Sequence, residues 1–98
     1  MGMTKKKIRE VMAIYRKKFE EWEIPKEEFP ENEKFPHDIA PPPENRAFAH
    51  CHKMLDQMEI FLQEGRKEKV FRWFGWIQGC LWRSGVYTLE ELKDHNHP

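Results

Sequence analysis

Cys51, flanked by His50 and His52, and the second cysteine, Cys80, are the residues whose types could support metal or nucleophilic chemistry. Zinc needs four convergent ligands, and on a helix positions 50 and 52 point about 200° apart. The sequence has no C-x-x-C and no H-x-x-x-H spacing, and His95 and His97, in the last four residues, read as tail. A cysteine nucleophile needs a histidine base and an orienting acid in reach, and Ser84 and Thr88 sit in no recognisable nucleophile elbow. Phosphate-binding glycine loops and dinucleotide fingerprints are absent. Glu20 and Glu23 read as solvated charges. Asp56, Glu59, Glu64 and Glu68 are too few and too badly spaced for a helical metal-dependent pyrophosphatase. The reading leans away from an enzyme, with no catalytic residue, metal or cofactor assigned. Cys51 and Cys80 lie 14 and 15 residues either side of Gly65, so a turn there would bring them level as two core thiols.

A second group of residues offers binding rather than catalysis. Val70 to Trp82 reads VFRWFGWIQGCLW and holds three of the four tryptophans. Aromatic side chains beside arginine are the usual composition of an interface hot spot. Phe71, Arg72, Trp76, Trp82 and Arg83 fall outside the stripe that a helix here would bury, and they read as contacts for a second copy or a larger protein partner. Gly75 and Gly79 each cost about 1 kcal/mol of helix propensity. The return is close packing of another backbone, either from this chain or from a second copy. Nucleic acid is the competing partner. Lys5, Lys6 and Lys7 form one basic group, and Arg66, Lys67, Lys69 and Arg72 another; arginines interleaved with tryptophans suit single strands. Against this, a recognition helix turns a polar face to the bases, and the formal net charge is zero, without the basic excess of most nucleic-acid-binding domains.

The elements that must position these residues follow from periodicity. A chain of 98 residues makes one domain. Ile8, Val11, Met12, Tyr15, Phe19 and Trp22 recur at helical spacing and predict a helix over about 4–22. Thr4 caps it, Pro25 closes it, and Lys5 to Lys7 sit in a first turn whose dipole disfavours cations. Residues 24–43 read IPKEEFPENEKFPHDIAPPP, with six of the seven prolines and no periodicity. Phe29, Phe35 and Ile39 are too apolar for an ordinary disordered linker and predict an ordered arm laid across the core. A second helix over about 43–64 places Ala47, Cys51, Met54 or Leu55, Met58, and Phe61 or Leu62 on one stripe. Gly65 ends it. A third helix over 67–83 turns Val70, Phe74, Ile77 and Leu81 inward. Thr88 and Glu91 form a capping box for a short helix over about 89–94. No strand pattern appears. The expected fold is all-α: a small three- to four-helix bundle built on a central antiparallel helical hairpin. A long proline-rich ordered arm joins helices one and two, and the tryptophan-rich third helix is the central element.

Bulk properties narrow the setting. Charged residues make up 35% of the chain, and Arg72, Gln78 and Arg83 interrupt its most apolar window, so no membrane span is expected. No secretory signal is visible, which favours a reducing, cytoplasmic location for the two thiols. Residues 20–44 carry nine acids against Lys26 and Lys34, while the remainder carries 15 basic residues against 8 acids. The run HCHKMLDQMEIFLQEGRKEKVFRWFGWIQGCLW, with TLEELKDHNHP after it, resembles small uncharacterised bacteriophage and prophage proteins of about one hundred residues. The resemblance covers the carboxy-terminal half. It implies the cytoplasm of an infected or lysogenic bacterium and a part in phage regulation or host interference, and it carries no site residues.

Overall fold

In a computed structural model of the chain, residues 3–27 and 44–97 are described, the side chains of 44 and 45 excepted. They form four helices: α1 (Lys5–Glu21), α2 (Glu44–Gln63), α3 (Lys67–Arg83) and α4 (Leu89–Asn96). No strand occurs among the described residues, and no helix there is long and apolar enough to cross a membrane.

Local chemistry explains where the helices start and stop. Thr4 is extended, and its hydroxyl accepts the Lys7 N–H at 3.1 Å, satisfying one of the free amides of the first turn of α1. Thr88 and Glu91 make the reciprocal capping box that opens α4. Helices α1, α2 and α3 all end in one motif. The N–H groups of Ile24, Arg66 and Val86 reach back to the carbonyls of Phe19, Phe61 and Leu81, and those of Glu23, Gly65 and Gly85 to Glu20, Leu62 and Trp82. That paired pattern needs a left-handed residue just past the helix. Gly65 (φ 77°) and Gly85 (φ 76°) supply it without strain, whereas Glu23 (φ 56°) supplies it with a side chain. The chain therefore leaves α1 at Glu23, two residues before Pro25.

Packing follows the predicted stripes for α1 and α3. Ile8, Val11, Met12, Tyr15 and Phe19 are buried on α1, and Val70, Phe74, Ile77 and Leu81 on α3. The stripe of α2 is wider than its spacing predicts. Phe48, Ala49, Cys51, His52, Met54, Leu55, Met58, Phe61 and Leu62 are all buried, because α2 packs against α1 on one side and α3 on the other. The central element is thus α2, not the tryptophan-rich α3. Helix α4 closes the arrangement by packing against both α1 and α3, and Leu92 is its buried anchor.

Two boundaries differ from expectation. Trp22 lies just past α1 with 42% of its surface exposed, rather than in the buried stripe. Helix α4 runs two residues beyond 94, because His95 and Asn96 find partners on α1 and α3. Most of the expected proline-rich arm lies outside the described residues. Of its start, Ile24 is buried and the Glu27 N–H donates to the Ala49 carbonyl at 3.2 Å.

Candidate interaction face and buried thiol pair

Helix α3 divides sharply between an inner and an outer side. Phe71 is 39% exposed, Trp76 60% and Trp82 49%; Arg72 and Arg83 are exposed beside them. At about 100° per residue, Phe71 and Trp82 fall on one rim of this outer side and Trp76 on the other, with Arg72, Gly75 and Gly79 between. A Cβ on Gly75 or Gly79 would meet no atom within 4 Å. The described residues of this chain therefore make no close approach to either glycine. The face continues past the end of the helix: Trp82, Val86, Tyr87 and Leu89 line an open groove at the turn into α4. Leu89 is 56% exposed. Sequence reasoning passed over it because an apolar residue just after a cap reads as the start of a buried stripe.

The remaining tryptophans are held within the chain. Trp73 packs edge-on against Phe61 with ring centroids 5.0 Å apart, and Trp22 lies 5.7 Å from Phe48. The basic residues are partly engaged as well. The Lys69 ammonium lies 4.7 Å from the centre of the Phe61 ring and 5.7 Å from that of Trp73. The Arg66 guanidinium lies 4.9 Å from Phe61 and pairs with Glu64 at 3.7 Å. Lys5, Lys6 and Lys67 are exposed, and Lys7 is half-buried. Arg9 grips both carboxylate oxygens of Glu59 at 2.9 to 3.1 Å; the hydrogen bond and charge of Arg9 hold that carboxyl below its ordinary range. This pair sets the amino end of α1 beside the carboxy end of α2, so Lys5 to Lys7 lie towards the end of the fold where α2 turns into α3.

The three residues of the His-Cys-His run diverge. His52 is buried on the α1 side, where its Nδ1 donates to the Ile24 carbonyl at 2.9 Å and its Nε2 meets no hydrogen-bonding atom among the described residues. His50 lies towards α3, 6.1 Å from the Trp76 ring. Cys51 and Cys80 are neighbours where α2 faces α3, the buried Cys51 thiol beside the half-buried Cys80. That neighbour, together with burial, pushes the Cys51 thiol well above its ordinary value. Cys80 moves the other way, held down by neighbouring Cys51 and Trp76 against an opposing effect of burial. Among the described residues, no group of three or more His, Cys, Asp or Glu side chains could hold a metal.

No family model, curated protein or solved structure matches the chain. Its function is read from these faces.

A polar cluster completes the picture, and sequence reasoning missed it. The Tyr15 oxygen lies 2.8 Å from His95 Nδ1 and accepts from Gln78 Nε2 at 3.0 Å, while Gln78 and Asn96 exchange two bonds at 2.7 and 3.0 Å. Tyr87 covers His95, its ring centre 4.8 Å away. His95 is no loose tail. The available signal was Gln78, a polar residue interrupting the apolar run of α3.

Proposed function

We propose that this protein is a non-enzymatic interaction protein that self-associates through the outer face of α3. The observation that carries the reading is the open Gly75–Gly79 strip bounded by exposed Phe71, Trp76 and Trp82. Two glycines in mid-helix are costly, and nothing described in this chain uses the space they leave. In this reading α2 and α3 form an antiparallel hairpin that presents the face.

A second copy fits better than an unrelated surface because the face is self-complementary. A two-fold axis crossing an antiparallel pair of α3 helices at Ile77 sets Gly75 of one copy level with Gly79 of the other. The same axis sets Arg72, five residues before 77, level with Trp82, five after it, and Phe71 level with Arg83. Arginine over tryptophan is a favourable cation–π arrangement, and two-fold pairing is the commonest form of self-association. We take this association to occur in bacterial cytoplasm, on the resemblance of the carboxy-terminal half to phage and prophage proteins.

The alternative partner is nucleic acid, held by Lys5, Lys6, Lys7, Arg66, Lys67, Lys69 and Arg72 with the outer tryptophans stacking on bases. One arrangement favours it: the Arg9–Glu59 pair directs the lysines of α1 towards the turn that opens α3. Dilution followed by tryptophan emission tests the first reading. Separation of two copies exposes Trp76 and Trp82 to water and shifts the emission to the red; a spectrum unchanged on dilution, with a monomer at every concentration, counts against it. Titration with single-stranded oligonucleotides at low salt tests the second, which demands binding that weakens steeply as salt rises.

A further inference from the structure

We propose that Cys51 and Cys80 are an oxidant-sensitive pair, in which a peroxide oxidises Cys80 and Cys51 then closes a disulfide joining α2 to α3. The two thiols neighbour each other where α2 faces α3, and both cysteines are free. Ring contacts at neighbouring levels fix the register independently: Phe61 against Trp73, and His50 beside Trp76.

The surroundings assign different parts to the two thiols. Cys51 is wholly enclosed, with 0% of its surface exposed, whereas Cys80 is half-buried at the edge of the core. A small oxidant therefore reaches Cys80 first. Its neighbours Cys51 and Trp76 also draw its pKa down, which favours the thiolate, the nucleophilic form. Attack of that thiolate on hydrogen peroxide breaks the O–O bond. It leaves Cys80 as a sulfenic acid and releases hydroxide, which takes a proton from solvent to become water. The Cys51 sulfur then attacks the Cys80 sulfur, the S–O bond breaks, and the hydroxyl leaves as a second water carrying the Cys51 proton. Two thiols and one peroxide give one disulfide and two waters. A small-molecule thiol reverses the bond by exchange.

Once formed, the bond closes a loop through the Gly65 turn and restricts the unfolded chain, so the oxidised protein melts at a higher temperature than the reduced one. The inference does not depend on self-association.

The test treats the full-length native protein with stoichiometric hydrogen peroxide, blocks remaining thiols under denaturing conditions, and reads intact mass and a non-reducing peptide map. The expected result is loss of two hydrogens, a peptide linking residues 51 and 80 within one chain, and reversal by dithiothreitol. In Cys51→Ala, dimedone should trap a sulfenic acid at Cys80. In Cys80→Ala, Cys51 should remain a thiol. Two unmodified thiols in the treated wild-type protein, sulfinic acid at Cys80 without a cross-link, or disulfides solely between chains would each overturn the proposal.

Discussion

The Tyr15 hydroxyl of α1 and Nδ1 of His95 on α4 lie 2.8 Å apart and tie the last helix of the chain to the first. Gln78 Nε2 donates to the same oxygen, and burial favours the neutral form of His95, whose Nδ1 shares a hydrogen with the phenol. The carboxy-terminal helix is thus held by a neutral histidine and a phenol as well as by buried Leu92.

The first prediction concerns pH. Burial pushes His95 below the ordinary histidine value, with Glu91 and Asp94 drawing it back up and Lys7 adding to the fall; Tyr15 and Tyr87 complete its surroundings. A base depressed in the folded state binds fewer protons there than when unfolded. Its contribution to stability is therefore present above the unfolded value of about 6.5 and is lost as pH falls through that value towards the lower folded one. Thermal melts from pH about 7.5 down to about 5 should show wild-type protein losing more stability than His95→Gln. Identical pH profiles for the two proteins would contradict this account of the latch.

Removing the bridging oxygen should be costly at neutral and mildly alkaline pH. Tyr15→Phe leaves Gln78 and His95 without their shared partner and is expected to lose about 1–3 kcal/mol in urea unfolding. Burial pushes the Tyr15 phenol up to about 12, so the bond persists through ordinary alkaline buffers. A neutral substitution would mean that water replaces the hydroxyl freely.

The three matching helix ends predict substitutions of opposite sign. Glu23 occupies the left-handed position that Gly65 and Gly85 occupy elsewhere, at a cost of about 1–2 kcal/mol for a residue with a Cβ. Glu23→Gly should therefore stabilise the protein by about 1 kcal/mol, while Gly65→Ala should destabilise it by a similar amount. The loss at Gly65 would come from backbone strain alone, since a Cβ there meets nothing within 4 Å. Paired denaturation curves check both signs.

Helix α3 should respond differently on its two sides. Phe74 is buried among the core residues, and Phe74→Ala is expected to cost about 3–5 kcal/mol. Phe71→Ser, on the outer side, is expected to cost no more than about 1 kcal/mol in monomer stability while weakening self-association. Chemical denaturation at low concentration separates the two effects. An equal loss from both substitutions would place Phe71 in the core.

Helix positions and caps were legible in the sequence because they depend on local chemistry. Thr4, Thr88 with Glu91, and the glycine after α2 each act within a few residues of themselves. The inner stripe of α3 was legible for the same reason, and so was the outward turn of Phe71, Trp76 and Trp82. The breadth of the α2 stripe was not, because how much of a helix its neighbours cover is decided by tertiary packing. Met54 or Leu55 reads as a choice from spacing, whereas both residues are buried. The Tyr15–His95–Gln78–Asn96 cluster joins residues up to 80 positions apart, and no local spacing encodes such a contact. The thiol contact fell between these cases. Distances from Gly65 suggested it, but the divergence of His50 and His52 was needed to separate it from a metal site.

Sedimentation equilibrium over a wide concentration range tests the central claim most directly. The account predicts a reversible shift from the 12.0 kDa chain to a species of twice that mass, and loss of the shift in a protein carrying Phe71→Ser and Trp82→Ser that retains its helical spectrum. A wild-type protein that remains at 12.0 kDa throughout would contradict self-association through α3.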